Sequence, residues 1–284
     1  MSKIQIHAFA DEASPMIGGQ IAAMQRNGLQ GLEIRNVDGT NVSDITVEKA
    51  REVRRRLEDA GLAVWAVGSP IGKIPIDGDH AAHEEKFRRT LTVAEALGTR
   101  RIRMFSYYIP QGEDPSLWRG AVIDRLGALL EMADKAGIHL CHENEKGIYG
   151  DLAPRCLELL EALPGLRNVF DPANYIQCGQ DTRAAWELLG ARTDYLHIKD
   201  ALADGTVVPA GCGEGSLPAI LADYIARGGQ NVTVEPHLRV FDGLAALERS
   251  GGQSIVGEKY QYASADAAFD AACGALRELL EAID

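Results

Sequence analysis

No apolar stretch of this 284-residue chain approaches the ~20 residues that a membrane-crossing helix needs, so no spanning segment is expected. Positive charge is scarce: 29 Lys and Arg face 41 Asp and Glu, a formal net charge of −12. Phosphate backbones and anionic membranes need a basic face, so neither nucleic acid nor membrane is expected as a partner. The opening MSKIQIHAFADE has no long apolar segment with a cleavage site, and no secretory leader is expected. Cysteine is sparse as well. Five of them, without paired spacing, suit a reducing cytoplasm better than a disulfide framework. Cys141 and Cys156 lie in apolar settings and read as small core residues rather than catalytic thiols. No Gly-x-Gly-x-x-Gly follows the first strand, which removes the main signal for a dinucleotide-binding open sheet. No low-complexity linker divides the chain, so residues 1–284 are expected to form a single domain.

What is present is a regular alternation. Strand-like runs are expected at Ile4–Phe9, Gly31–Arg35, Leu62–Val67, Arg101–Phe105, Ile138–Glu143, Arg167–Asp171, Tyr195–Ile198 and Asn231–Glu235. Helical patterns separate or follow them at Pro15–Asn27, Thr46–Ala60, His80–Leu97, Pro115–Ala136, Leu152–Leu163, Thr182–Leu189, Leu217–Arg227 and Ala265–Ile283. Glycine stands just past several helix ends, as in Gly28, Gly61, Gly98 and Gly137, where short βα connections place it. Eight βα units in a chain of this length predict a closed (β/α)8 TIM barrel. The longest irregular stretch, 236–264, follows the eighth strand and is expected over the active-site end, as a lid or an oligomer contact.

In such a barrel, reactive groups collect at the C-terminal ends of the strands. Four successive strands end in Glu143, in Asp171, at His197 and in Glu235. Any one acid there could simply cap a helix N-terminus. Four at one level cannot be read that way, because carboxylates ~4 Å apart repel by roughly 4 kcal/mol even at an effective dielectric of ~20. They must take up protons or share a cation. Three carboxylates and one imidazole make a mostly oxygen site suited to one divalent ion, Mn²⁺ first, with Mg²⁺, Co²⁺ or Zn²⁺ as alternatives.

The pattern Glu143-Asn144, Asp171 with Asn174, His197-Ile-Lys199-Asp200 and Glu235-Pro-His237, with Gly31-Leu-Glu33-Ile-Arg35 in strand two, resembles the sugar phosphate isomerase/epimerase group of xylose isomerase-like TIM barrels. The resemblance implies metal-ligand roles for Glu143, Asp171, His197 and Glu235. It also implies a second role for Glu143 and Glu235 as catalytic acid and base. Glu145 shares strand parity with Glu143 and stays open as an alternative ligand. Many ketose epimerases of the group have His where this chain has Asn174, which affects substrate contacts rather than the metal. A DNA-cutting branch of the fold uses further histidines where this acidic chain has Ser69, Ser106 and Asn174, so DNA repair is not expected.

The expected activity is therefore a metal-dependent isomerase or epimerase that moves a proton through an enediolate on a sugar or sugar derivative. The runner-up is a dehydratase of the inosose-dehydratase type on the same site, and the non-enzymatic alternative is a sugar-binding barrel. Arg35, Lys73 and Arg103 offer cations near the mouth on strands two to four, which predicts an acidic or phosphorylated substrate. Ser69, Asn174, Lys199 and His237 complete the expected substrate contacts. A homo-oligomer is left open. His142, of opposite parity to Glu143, is expected to face a helix or the loop, and His80 and His83 to be solvated. The run Gly211-Cys-Gly-Glu-Gly215 lacks the Lys-Ser/Thr of a phosphate loop and reads as a flexible loop.

Overall fold

A computed structural model of the protein describes residues 4–240, 255–256 and 260–283. Eight parallel strands close into a barrel: β1 Gln5–Ala8, β2 Gly31–Ile34, β3 Ala63–Gly68, β4 Arg101–Met104, β5 His139–Glu143, β6 Arg167–Phe170, β7 Thr193–Ile198 and β8 Asn231–Val234. Each strand pairs with its sequence neighbours, and β8 closes on β1 with Gln5 opposite Asn231 and Ala8 opposite Val234. The strands are short and rich in branched apolar residues. Leu32, Ile34, Val67, Ile102, Leu140, Leu196 and Val232 are almost wholly buried, as expected where helices cover the outside of a parallel sheet.

The helices are α1 Ile17–Arg26, α2 Val47–Asp59, α3 His80–Leu97, α4 Arg119–Lys135, α5 Ala153–Ala162, α6 Pro172–Gln177, α7 Thr182–Leu189, α8 Leu217–Ala226 and α9 Ala265–Ile283. Their ends follow local chemistry. Thr46, Asp79 and Asp181 cap α2, α3 and α7 by accepting backbone N–H bonds, and Gly98 closes α3 at φ 80°. The charged α2 buries only Ala50, Val53 and Leu57, one stripe turned towards the barrel.

The structure departs from the sequence expectation in three places. The helix expected from Pro115 begins with a separate 3₁₀ turn, Pro115–Trp118, before α4. Asp171 is followed at once by the short α6, with Pro172 at its start. His83 is buried, accepting the Gly72 N–H at 2.9 Å, because the loop after β3 folds back over α3. In the 236–264 stretch, residues 241–254 and 257–259 lie outside the described residues. Within the described part, Ile255–Val256 pairs in parallel with Thr206–Val208.

Gly72 shows how tightly the upper rim is packed. It has φ +85°, and a Cβ there would stand 2.0 Å from the Phe105 carbonyl oxygen. We expect Gly72→Ala to cost roughly 1–3 kcal/mol in chemical denaturation, through backbone strain and overpacking. An unchanged midpoint would show that the loop after β3 yields freely.

Candidate metal centre

The short strands bring four side chains to one point. Glu143 ends β5, Asp171 follows β6 as the N-cap of α6, His197 lies in β7 and Glu235 follows β8. One donor atom from each lies within 4.8 Å of the others, and all four residues are buried. Register places them at one level: Thr233 is opposite His197, and the Glu235 N–H donates to the Ile198 carbonyl at 3.2 Å.

Each of the four side chains is held from behind, so that one face remains for the cluster. Asp171 Oδ1 accepts the Asn174 N–H at 3.0 Å, while its backbone is fixed by two reciprocal 3.0 Å bonds with the Asn144 amide. His197 Nε2 lies 3.1 Å from Glu33 Oε2, leaving Nδ1 on the cluster side, 3.0 Å from Glu143 Oε1. Each nitrogen faces a carboxylate that must accept, so the metal-free ring carries a hydrogen on both. The Nε2–H bond to Glu33 is the one that would remain once Nδ1 gave its proton up to a cation. A carboxylate–histidine pair of this kind fixes tautomer and ring orientation for a metal. Glu33 is itself held by the Tyr195 hydroxyl at 3.0 Å. Arg103 Nε stands 3.0 Å from Glu143 Oε2, and Arg35 Nη1 donates to Glu235 Oε1 at 3.2 Å.

The sum of charges is unusual for a protein interior. Six buried acids meet here (Asp11, Glu12, Glu33, Glu143, Asp171 and Glu235) against three buried cations, Arg35, Arg103 and Lys199, and the His197 imidazole. The excess has visible consequences. Burial, reinforced by Glu235 and Glu143 against the opposing pull of Lys199, pushes the Asp171 carboxyl up to about 7. Burial likewise raises Glu12 to about 8, despite Arg35. Burial would lower the His197 imidazole, but Glu143 and Glu33 raise it well above its ordinary value. For Glu235 burial is outweighed in the other direction: Lys199, then His237, His197 and Arg35, hold it well below the usual carboxylate range. Without a further cation, the acids depend on Lys199, Arg35, Arg103 and retained protons for compensation.

The residues fit a divalent ion. Asp171 Oδ2 is buried and lies 2.8 Å from Lys199 Nζ, yet it accepts no directed hydrogen bond. That oxygen is therefore compensated by charge alone, within 4.8 Å of a donor from each of the other three residues, and a cation bound there would satisfy it directly. The hard donor set suits a six-coordinate oxygen-preferring ion and also admits Zn²⁺.

A pH dependence follows from these shifts. A folded-state pKa raised above the unfolded value gives stability that is complete below the unfolded pKa and lost as pH rises through the folded one. Metal-free protein should therefore lose stability from about pH 4 up through 7 to 8, as Asp171 and Glu12 shed protons. Ligation requires the deprotonated forms, so the added stability from Mn²⁺ should grow over the same window. Melting curves in chelator and in Mn²⁺ from pH 5 to 9 test this, and a constant gap between them would refute it.

The residues expected to meet substrate are placed differently from one another. Arg35 is 2% exposed and engaged with Asp11, Glu12 and Glu235, while Arg103 is 4% exposed and joins Glu143, Glu33 and the Ser69 carbonyl. Both guanidiniums thus stand behind the paired glutamates. Lys73 pairs with Glu145 at 2.9 Å, so Glu145 faces that cation and is held down at about 2, burial being offset by Lys73 and Lys199. Ser69 is wholly buried and donates to the Arg103 carbonyl at 2.6 Å. Asn174 Nδ2 donates to the Asn144 carbonyl at 2.8 Å and to Glu143 Oε1 at 3.3 Å, holding the ligand pair together. His237, at φ +42°, donates its N–H to Glu12 Oε2 at 2.7 Å. Lys199 reaches both Asp171 and Glu235. His142 turns away from the cluster to the Ser106 hydroxyl, 2.9 Å away.

From sequence alone, no site role attaches to three acids that the fold brings to the cluster. Glu33 was visible as a lone charge inside the apolar strand Gly31–Ile34, and Asp11 and Glu12 as acids just past β1. Parity alone could not show that Glu33 reaches across the barrel to His197. The glycine-rich run is also not a loose loop. Gly211, Gly213 and Gly215 donate backbone N–H groups to the Asp200 carboxylate at 2.8–3.0 Å.

No protein of curated function matches the sequence. Among solved structures, an L-ribulose 3-epimerase has a TM-score of 0.74 at 19% identity, covering 100% of this chain and 96% of that one. An IolI protein with a bound zinc atom gives 0.74 at 14% identity, covering 99% of both chains. A probable 3-DHS dehydratase, AsbF from Bacillus anthracis, gives 0.72 at 16% identity, with 97% of this chain and 98% of that one covered. The chain also spans 44% of a xylose isomerase-like TIM barrel/4-hydroxyphenylpyruvate dioxygenase fusion protein, at TM-score 0.73 and 16% identity over 99% of its own length. At such identities the likeness is one of fold. Residues 21–238, most of the chain, match the family model itself, and this protein belongs to the xylose isomerase-like TIM barrel family.

Proposed function

We propose that the protein is a divalent-metal-dependent isomerase or epimerase that moves a proton next to a carbonyl in a sugar or sugar-derived ketose. The observation that carries this reading is the pairing of Glu143 and Glu235. Both reach the same four-donor cluster from different strands, and each is backed by its own guanidinium, Arg103 or Arg35. A divalent ion held by Glu143, Asp171, His197 and Glu235, with Mn²⁺ as the first choice, would supply Lewis-acid charge for the oxygen that becomes negative when the proton leaves.

The rest falls to the chain's own groups. One glutamate takes the proton from the carbon beside the carbonyl, and the other returns a proton to the neighbouring carbon or the opposite face. Glu235 meets the first requirement of a base, since the cations and imidazoles around it keep its carboxylate ionised. Arg103 and Arg35 fix the two carboxylates in place, so neither must reorganise as the proton moves. Because both guanidiniums are committed to acids, the fit to an anionic substrate rests less on them than on Lys199, whose flexible stem reaches the cluster.

A dehydratase reading draws on the same Lys199. Its ammonium, on a stem long enough to stay near the cluster once an ion holds Glu235, could hand a proton to a departing β-hydroxyl, which would leave as water. NMR of Mn²⁺-loaded protein in D₂O with ketoses, keto-acids and inososes separates the readings. Deuterium uptake with isomerised or epimerised product supports the first, and dehydrated product the second. Binding without exchange in any of these classes would leave a sugar-binding barrel and overturn both.

A further inference from the structure

Lys199 occupies a position that the reaction alone does not explain. Its Nζ lies 2.8 Å from Asp171 Oδ2 and 2.8 Å from Glu235 Oε2. These carboxylates have little else to offer. Asp171 Oδ1 is committed to the Asn174 N–H, and Glu235 Oε1 to Arg35 Nη1. One oxygen of each remains for the cluster, and the ammonium has both. We propose that Lys199 is a built-in competitor for the divalent ion, neutralising Asp171 and Glu235 in its absence and displaced from their oxygens when it binds. This inference rests on the metal reading given above.

The physical grounds are steric and electrostatic. An ion ligates such oxygens at roughly 2.0–2.2 Å, and Zn²⁺ or Mn²⁺ could not share this buried face of the pair with a contacting ammonium. Two cations at contact distance in a buried site also repel strongly. The displacement is confined to the side chain. Lys199 lies between β7 and the strand Asp200–Ala201, and Asp200 accepts four backbone N–H bonds, from Ala201, Gly211, Gly213 and Gly215. A Cβ on Gly213 or Gly215 would lie 2.4 or 2.6 Å from Asp200 Oδ1, so the loop closes on that carboxylate with no room to slide. The four-carbon stem can turn, but the backbone beneath it is bolted down. Metal loading thereby converts Lys199 from a structural counter-charge into a cation at the mouth that can meet substrate.

The test compares Mn²⁺ dissociation constants, measured by water-proton relaxation, with melting temperatures in chelator, for the wild type, Lys199→Met and Lys199→Gln. Lys73→Met is the charge control, since Lys73 pairs with Glu145 outside the four-donor cluster. The expected result is Mn²⁺ bound about tenfold tighter or more by both Lys199 variants, whose metal-free forms melt below the wild type. Lys73→Met should shift the constant by less than about threefold. Unchanged or weaker binding in the Lys199 variants overturns the proposal, as does an equal gain in Lys73→Met, which would show a general charge effect. Failure of wild type and variants alike to bind any Mn²⁺ would instead overturn the metal reading, and this inference with it.

Discussion

Purified protein is expected to hold close to one divalent ion per chain, and Asp171→Asn or His197→Ala to lose it. Asp171→Asn is the cleaner change. Asparagine is as good an N-cap as aspartate, so the bond from the Asn174 N–H that starts α6 can persist. What disappears is the charge on the oxygen aimed at the cluster. His197→Ala removes a donor and also strands two buried acids, Glu33 and Glu143, that now share its ring. Breaking one side of a buried charge pair costs ~3–5 kcal/mol, so this variant should be less stable even in chelator. Outer-shell partners already tune metal affinity by 10–100-fold, so loss of a ligand should weaken binding by ~10²-fold or more. At an ion concentration 100 times Kd, the wild type gains about 2.7 kcal/mol from binding, a gain the variants should lack. Elemental analysis and melting curves with added Mn²⁺ check both. A wild type that copurifies with no ion and gains no melting temperature from Mn²⁺, Co²⁺ or Zn²⁺ would remove the centre.

Turnover by Glu235→Gln is expected to fall by ~10²–10⁴ while the protein still folds and loads metal. Glutamine keeps the size and one carbonyl oxygen for Arg35 or for the cluster, but it has no pair of electrons basic enough to take a carbon-bound proton. Lys199 then loses one of its two carboxylates, so metal occupancy must be measured beside the rate. If the loaded variant turns over at the wild-type rate, Glu235 serves only as a ligand and the proton moves elsewhere. Glu143→Gln should lower turnover too, with a different residue of exchange: a variant that still washes deuterium into substrate but forms no product would assign Glu235 as the base for the first step.

The barrel was readable in the chain because its determinants are local. Branched apolar runs such as Leu62–Val67 and glycine stops such as Gly98 need only their near neighbours to declare strand and helix end. The convergence of the four side chains was readable for a related reason. When strands lie parallel and in sequence order, residues at or beside their C-terminal ends fall at the same rim, so Glu143, Asp171, His197 and Glu235 could be matched by position. The helix caps at Thr46, Asp79 and Asp181 belong to the same class, being settled within three residues of chain.

Only the tertiary structure decided what the charges do. The side chain of Arg35 could have met solvent, substrate or any acid in reach. It meets Asp11, Glu12 and Glu235 because closing β1 onto β8 brings the turn after β1 against the end of β8. Glu33 and His197 are 164 residues apart, and their contact exists only across the barrel interior. Lys199 sits one residue past a strand that periodicity located, but whether its stem turns towards two carboxylates or away from them depends on loops from other strands. Backbone periodicity is a property of the nearest few residues. A long charged side chain is placed by whichever opposite charges surround it after closure, and that information is distributed over the whole chain.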